Sequence, residues 1–354
     1  MNIGIIGLGQ AGKSTLFSSF TGKEPSAPGT GGDTGIVNIP DARLDKLHQL
    51  YNAPRKVYAT AVFEDFPPLD TQIKQQRINL VDRLRVMDAL VLVVGAYRCM
   101  SELAIIDELN KLRFELIMND LDFVTKRIER LDRDMRVNAK NRLEKEKEMT
   151  FLQKLQTLLE QENIVARLDL DPGEQAMANN YNLTTDKPTC YVFNISESME
   201  EQKIQKIIEQ SEKILKETGD SSPILVIDAS LEAEVAQMDP EEVDDFLAEF
   251  GISKLGRDKI IKATYNLLDQ ITFFTVGDDE NRAWTIKKGS SALEAAETIH
   301  TDLARGFIKA EVVKTEDLLE LGSMNEVKKA GRMRLEGKNY QVQDGEIVHI
   351  NFNV

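Results

Sequence analysis

The chain has 354 residues, with 44 Lys and Arg against 59 Asp and Glu and a formal net charge of −15. That length suffices for two or three domains with separate cores, and that charge excludes DNA binding driven by overall electrostatic attraction. No apolar run reaches the length of a membrane span. The N-terminus has no basic segment followed by a small-residue cleavage site. The two cysteines, Cys99 and Cys190, lie in apolar, strand-like surroundings and are expected to be small, buried, reduced side chains of a cytoplasmic protein.

The first predicted element is a strand over Asn2–Ile6. It runs into Gly7-Leu8-Gly9-Gln10-Ala11-Gly12-Lys13-Ser14, after which Thr15-Leu16-Phe17 opens a helix. A G-x-x-x-x-G-K-S segment between a strand and a helix is a phosphate-binding loop. Its backbone N–H groups wrap phosphates at the helix N-terminus, Lys13 reaches the β and γ oxygens, and the Ser14 hydroxyl ligates Mg²⁺. The stretch Ser26–Gly35 is rich in glycine, lacks periodicity and reads as a loop. Further strands are expected at Ala59–Phe63 and Ala89–Val94. The second of these is continuously apolar, as a parallel strand covered on both faces should be.

From about residue 98 the pattern becomes helical. Ile117, Leu121, Val124, Ile128, Leu131 and Met135 repeat at 4-3-4-3-4, a heptad seam, and Phe151, Leu152, Leu155 and Leu159 resume helical spacing after a polar break at 138–141. Two antiparallel helices forming an inserted coiled-coil arm are predicted. Residues 123–147 carry nine Lys and Arg against five Asp and Glu. Two readings of this surplus stay open: a solvated face laced with i,i+4 ion pairs, or a contact surface for an acidic partner such as RNA.

Strand character returns at Cys190–Phe193 and Ile224–Ile227, so the first domain is discontinuous around the arm. Residues 239–270 read as short helices. Beyond residue 277 the expected order is a strand at Arg282–Lys287, a helix at Ser291–Leu303 and a strand at Phe307–Val313. A hairpin at 340–354 turning at Asp344-Gly345 completes a small α+β module. The boundaries are 1–97 and 186–276 for the two parts of a G domain, 98–185 for the arm and 277–354 for the C-terminal module.

Directly after the Cys190–Phe193 strand stands Asn194-Ile195-Ser196-Glu197, in the place of a base-reading loop. GTPases use Asn-Lys-x-Asp there, with the Asp accepting from guanine N1–H and the 2-amino group. Adenine presents an acceptor at N1. With Glu197 one methylene longer and the Lys missing, guanine selectivity should weaken.

With these residues in view the chain resembles the YchF-type Obg-like ATPases of the translation-factor branch of P-loop proteins, over essentially its whole length. Besides Asn194–Glu197, the resemblance is carried by Ile36–Leu47, Arg282–Gly289, Ile299–Asp302, Gly306–Val312, Val342–Gly345 and Phe352–Val354. It implies an α/β P-loop G domain with a mostly parallel sheet, an inserted antiparallel helical arm and a C-terminal β-grasp (TGS) domain. It also implies a monomer that binds ATP in preference to GTP with Mg²⁺, hydrolyses it slowly and associates with ribosomes, contacting ribosome or RNA through the arm and TGS domain.

Carried over by position, Gly7, Gly9 and Gln10-Ala11-Gly12-Lys13-Ser14-Thr15 would hold the phosphates. Lys13 would be the catalytic cation, and Asn194, the Ile195 backbone and Glu197 would meet the purine. Ala229-Ser230 would form a second base-side loop. Ser14, Asp65 and a threonine, Thr30 or Thr34, would serve the metal.

The chain departs from the family at Asp65-Phe66-Pro67-Pro68-Leu69, where the family has Asp-x-x-Gly. The glycine's N–H normally bonds the γ-phosphate, and Pro68 has no N–H to offer. Gly9-Gln10 also stands where the family usually has Pro-Asn. Two functional readings follow: a slow regulatory ATPase, or a nucleotide-stabilised scaffold with little hydrolysis that binds partners through the arm and TGS domain.

Overall fold

The computed structural model describes residues 1–23, 32–70, 74–137, 141–249 and 255–353. In chain order the elements are β1 (Asn2–Gly7), α1 (Lys13–Thr21), β2 (Thr34–Asn38), α2 (Ala42–Tyr51), β3 (Arg55–Val57), β4 (Thr60–Asp65), α3 (Lys74–Arg85) and β5 (Ala89–Val94). There follow α4 (Glu102–Val137), α5 (Arg142–Glu160), α6 (Pro172–Tyr181), β6 (Thr189–Asn194), α7 (Glu201–Glu217), β7 (Ile224–Ile227), α8 (Ala229–Val235), α9 (Pro240–Glu249) and α10 (Gly256–Leu267). The chain closes with β8 (Gln270–Thr275), β9 (Glu280–Lys287), α11 (Ala292–Ile299), α12 (Thr301–Arg305), β10 (Phe307–Lys314), α13 (Thr315–Leu321), α14 (Met324–Lys329), β11 (Arg334–Glu336) and β12 (Glu346–Phe352).

Contacts divide the chain into two compact units. One comprises Met1–Gly35 and Val62–Ile260, and the other Ile36–Ala61 and Ile261–Val354.

The sheet of the first unit has the order β2-β4-β1-β5-β6-β7. The pairs β1–β4, β1–β5, β5–β6 and β6–β7 are all parallel. Every residue of β5 is buried, as its unbroken apolar run requires. Burial also pushes the Cys190 thiol on β6 up to about 12, which makes it a packing residue.

The arm is α4 against α5. Ile117, Val124 and Leu131 are buried and Leu121, Ile128 and Met135 half-buried in one cluster with Phe151, Leu152, Leu155 and Leu159, so the heptad seam is the packed face. Among the basic residues of the arm, Lys126 pairs with Asp122, Arg136 with Asp132 and Arg142 with Glu146, each at i,i+4. At the base of the arm Asp120, fully buried, accepts from the Thr184 and Thr185 amides at 3.1 and 2.7 Å and from Thr185 Oγ1 at 2.8 Å. The α6 helix begins with a capping box, Asp171 and Glu174, around Pro172.

The second unit holds a mixed sheet in the order β11-β10-β12-β8-β9-β3. The helix α11 contributes Ala292, Ala295 and Ala296 to the core beneath it. Two expectations are corrected here. Among the described residues, 340–353 form no hairpin: Gly345 makes the turn, but β12 pairs antiparallel with β10 and parallel with β8. Its apolar residues Ile347, Val348 and Ile350 are buried, as in a central strand covered on both faces. The single helix expected over Ser291–Leu303 breaks at His300, whose extended backbone caps α12 as Nδ1 accepts from the Asp302 amide. Trp284 is a packing residue, stacked near Phe273 and donating to Thr275 Oγ1 at 3.0 Å. Among the described residues no helix is long and apolar enough to cross a membrane.

Replacing Asp120 by Ala strands two buried amides, and should lower resistance to urea by about 2–4 kcal/mol. Lys126→Ala, on an exposed i,i+4 pair, should change it by less than about 0.5 kcal/mol.

Candidate nucleotide-binding site

In an open parallel sheet, ligands bind beyond the carboxyl ends of the strands. The candidate residues stand at five such ends: the loop after β1, Asp65 closing β4, Gly95–Arg98 after β5, Asn194 closing β6, and Ala229 after β7.

The loop after β1 takes its shape from two glycines and one strained residue. Gly7 packs so close to β5 that a Cβ would lie 2.5 Å from the Val93 carbonyl oxygen. Gln10 has φ 58° and Gly12 φ 91°, and a Cβ on Gly12 would come within 2.1 Å of Asn194 Nδ2. The left-handed turn at Gly12 is therefore both a backbone and a packing requirement. The helix α1 begins immediately, at Lys13, which puts its orphan amides at the loop.

Lys13 is buried, and its Nζ donates to the Leu8 carbonyl at 2.9 Å. Burial lowers its proton affinity, and the carboxylates of Asp65 and Asp70 raise it back. Ser14 Oγ donates to Asp65 Oδ2 at 2.7 Å. Burial raises the Asp65 pKa, opposed by the Ser14 hydroxyl and the Lys13 charge. Asp65 Oδ1 is buried with no hydrogen-bond partner among the described residues. A serine hydroxyl and a carboxylate with an unused oxygen form a hard-oxygen donor pair, and Mg²⁺ needs only one or two such protein groups when phosphates supply the rest. The residues therefore fit that ion. Thr30 lies outside the described residues, and Thr34 is exposed at the start of β2.

On the base side one carboxamide joins three segments. Asn194 Nδ2 donates to the Ala11 carbonyl at 3.1 Å, while its Oδ1 accepts from the Ala229 amide at 3.0 Å. The Ile195 amide is committed to the Ile227 carbonyl at 2.8 Å, so a purine contact through the Ile195 backbone would use its carbonyl. Glu197 is exposed. Ala229-Ser230 forms the first turn of α8, with the Ser230 amide capped by Asp228 Oδ1 at 3.0 Å.

Sequence reading missed four residues here. Tyr97 donates its hydroxyl to the Gln10 carbonyl at 2.8 Å. Glu108, buried on α4, accepts from the Gly95 amide at 2.8 Å and pairs with Arg98 at 2.8 Å. Asp70 Oδ1 accepts from the Gly9 amide at 3.1 Å. The signal for the first three was their position, at or against the carboxyl end of β5. Asp70 follows directly on the Asp65–Leu69 stretch.

Comparison with known proteins decides the family. The chain is 36% identical over 374 residues to the ribosome-binding ATPase YchF of Bacillus subtilis, covering all of both chains. It is 33% identical to the protein of the same name from Escherichia coli O157:H7, with 99% of each covered. The chain belongs to the YchF family. The model for the YchF-GTPase C-terminal region, described as a protein of unknown function (DUF933), matches residues 270–353. The structure of the Schizosaccharomyces pombe YchF GTPase superposes with a TM-score of 0.82 at 25% identity, over 99% of this chain and 97% of that one.

In the segment after Asp65 the amides are committed to the sheet. Phe66 N–H bonds the Ile5 carbonyl at 3.0 Å and Leu69 N–H the Gly7 carbonyl at 3.2 Å, while Pro67 and Pro68 have none to give. From Phe66 to Leu69 every available amide is bound to the β1 strand.

Asn194→Ala leaves the Ala11 carbonyl and the buried Ala229 amide without partners. It should lower stability by about 1–3 kcal/mol in thermal or urea unfolding without nucleotide, and weaken nucleotide binding in the same preparation.

Proposed function

We propose that this YchF-family chain is a slow, magnesium-dependent ATPase of the cytoplasm that works at the ribosome, and that it takes ATP in preference to GTP. The observation that carries the reading is the alignment of Lys13, Ser14 and Asp65 behind the β1–α1 loop, with Ser14 Oγ 2.7 Å from Asp65 Oδ2. In this reading the loop from Gly7 to Gly12 and the first turn of α1, through Thr15, bind the phosphates. Ser14 would hold Mg²⁺ directly, with Asp65 behind it through the oxygen left unpaired. When bound, the ion neutralises charge on the β and γ oxygens.

Lys13 would leave the Leu8 carbonyl for the phosphates and place a desolvated positive charge where negative charge builds up in phosphoryl transfer. In a site shielded from water such a charge does more work than in solvent. Leu69 stands where a glutamine would orient the attacking water, and it is buried, so it takes no part in the chemistry, which is why we expect turnover to be slow. The preference for ATP is supported by Glu197 and by the absence of a lysine from Asn194–Glu197. The ribosome enters through the relatives, whose names describe them as ribosome-binding ATPases. The arm and the C-terminal module are the segments we assign to that partner.

One observation favours the scaffold reading. The proline pair and the committed amides at Phe66 and Leu69 leave residues 66–69 without a donor for the γ-phosphate.

Phosphate release from ATP and from GTP, with Mg²⁺ and with ribosomes present and absent, tests the proposal. The expected outcome is slow release from ATP that exceeds release from GTP and stops with EDTA. Lys13→Ala should lower it by about a hundredfold or more. Tight binding of ATP with no release, even with ribosomes, would sink the ATPase reading in favour of the scaffold.

A further inference from the structure

We propose that Asp70 sets the preference of this site between nucleoside diphosphate and triphosphate, by holding a negative charge at the terminal-phosphate end of the loop. The inference rests on the nucleotide-binding reading above and adds to it a residue and a sign.

The position of Asp70 is the first part of the case. Its Oδ1 accepts from the Gly9 amide at 3.1 Å, and both its carboxylate oxygens would lie 3.7 Å from a Cβ built on Gly9. The other end of the loop, Ala11 and Gly12, is against Asn194 on the base side. The Gly9 end lies with Lys13, whose Nζ sits on the carbonyl of the neighbouring Leu8 at 2.9 Å. Since the lysine of such a loop reaches the β and γ oxygens, Asp70 stands beside the terminal phosphates and away from the base.

The second part is what surrounds it. In ordinary P-loop switches the segment after the metal-side aspartate offers an amide, and the γ-phosphate draws that segment in. Here Pro67 and Pro68 have no N–H, and the Phe66 and Leu69 amides are bound to β1 carbonyls. The next charged group along the segment is the Asp70 carboxylate. A γ-phosphate arriving there meets a like charge, and the Gly9 amide serves one anion or the other. The segment therefore answers the γ-phosphate by repulsion where an ordinary P-loop switch answers by attraction. A diphosphate leaves the Asp70–Gly9 contact in place, and a triphosphate displaces it.

The plainer alternative is that Asp70 only satisfies the Gly9 amide in the nucleotide-free loop. Such a cap would weaken both nucleotides equally, so the ratio of affinities separates the two ideas. Calorimetric titration of the full chain with ADP and with the non-hydrolysable β,γ-imido analogue of ATP, both with Mg²⁺, measures that ratio. Asp70→Asn keeps an acceptor and removes the charge, and Asp70→Glu keeps the charge.

Asp70→Asn should tighten the triphosphate relative to the diphosphate by about tenfold at low salt, a difference of about 1.4 kcal/mol. Asp70→Glu should stay near the parent ratio. Raising salt from about 0.02 M to about 0.5 M should narrow the gap between parent and Asp70→Asn, because the carboxylate is exposed and screened. A ratio for Asp70→Asn within about twofold of the parent, or equal tightening of both nucleotides, would overturn the proposal while leaving the nucleotide site intact. Failure of the parent chain to bind either nucleotide would overturn the site reading itself.

Discussion

The parallel pairing of β1 with β4 on one side and β5 on the other determines where the chemistry of this protein can sit. It brings the phosphate loop, Asp65 and the Gly95–Arg98 turn out at the same edge of the sheet. The pairing is so close that only a glycine fits at position 7, against the Val93 carbonyl. From that edge the remaining contacts follow in order. Ser14 meets Asp65, Asn194 spans from the loop to α8, and Glu108 fastens the end of β5 to the first turns of α4.

Much of this was legible in the sequence because the signals are local. The phosphate loop declares itself through residue types at fixed spacing. The arm declares itself through a heptad seam whose every member, from Ile117 to Met135, lies on the packed face. The unbroken apolar run of Ala89–Val94 identified a strand buried on both faces. Asn194 was found from its place after a strand. Its use, tying backbone groups 183 and 35 residues away, depended on the tertiary fold and was not visible in the chain.

What escaped the sequence did so for physical reasons. β12 was paired with the wrong neighbour because an Asp-Gly turn before an apolar run is a local hairpin signal. Its true partners, β10 and β8, come from distant parts of the chain and make it a central strand whose Ile347, Val348 and Ile350 are buried. The break at His300 was missed because apolar spacing continues across it, while the cap that starts α12 is a single side-chain contact. Asp70 carries no signal of its own: an exposed aspartate in a loop is ordinary until the fold sets it on the Gly9 amide. Pro68 was conspicuous as a missing donor, but only the structure shows that the neighbouring amides are already spent on β1.

The helix α4 has its second turn on the end of β5, through Glu108, and its far end at the tip of the arm. At 36 residues it is roughly 54 Å long. Ile105, Leu109, Leu112 and Leu116 pack into the core beside β5, and Asp120 is held by the Thr184 and Thr185 amides, so the part of the helix that projects runs from Asp120 to Val137, roughly 26 Å. A rotation of about 10° about that base carries the far end through roughly 4 Å. The helix that carries the arm is therefore also the one that carries Glu108, the side chain that closes the end of β5.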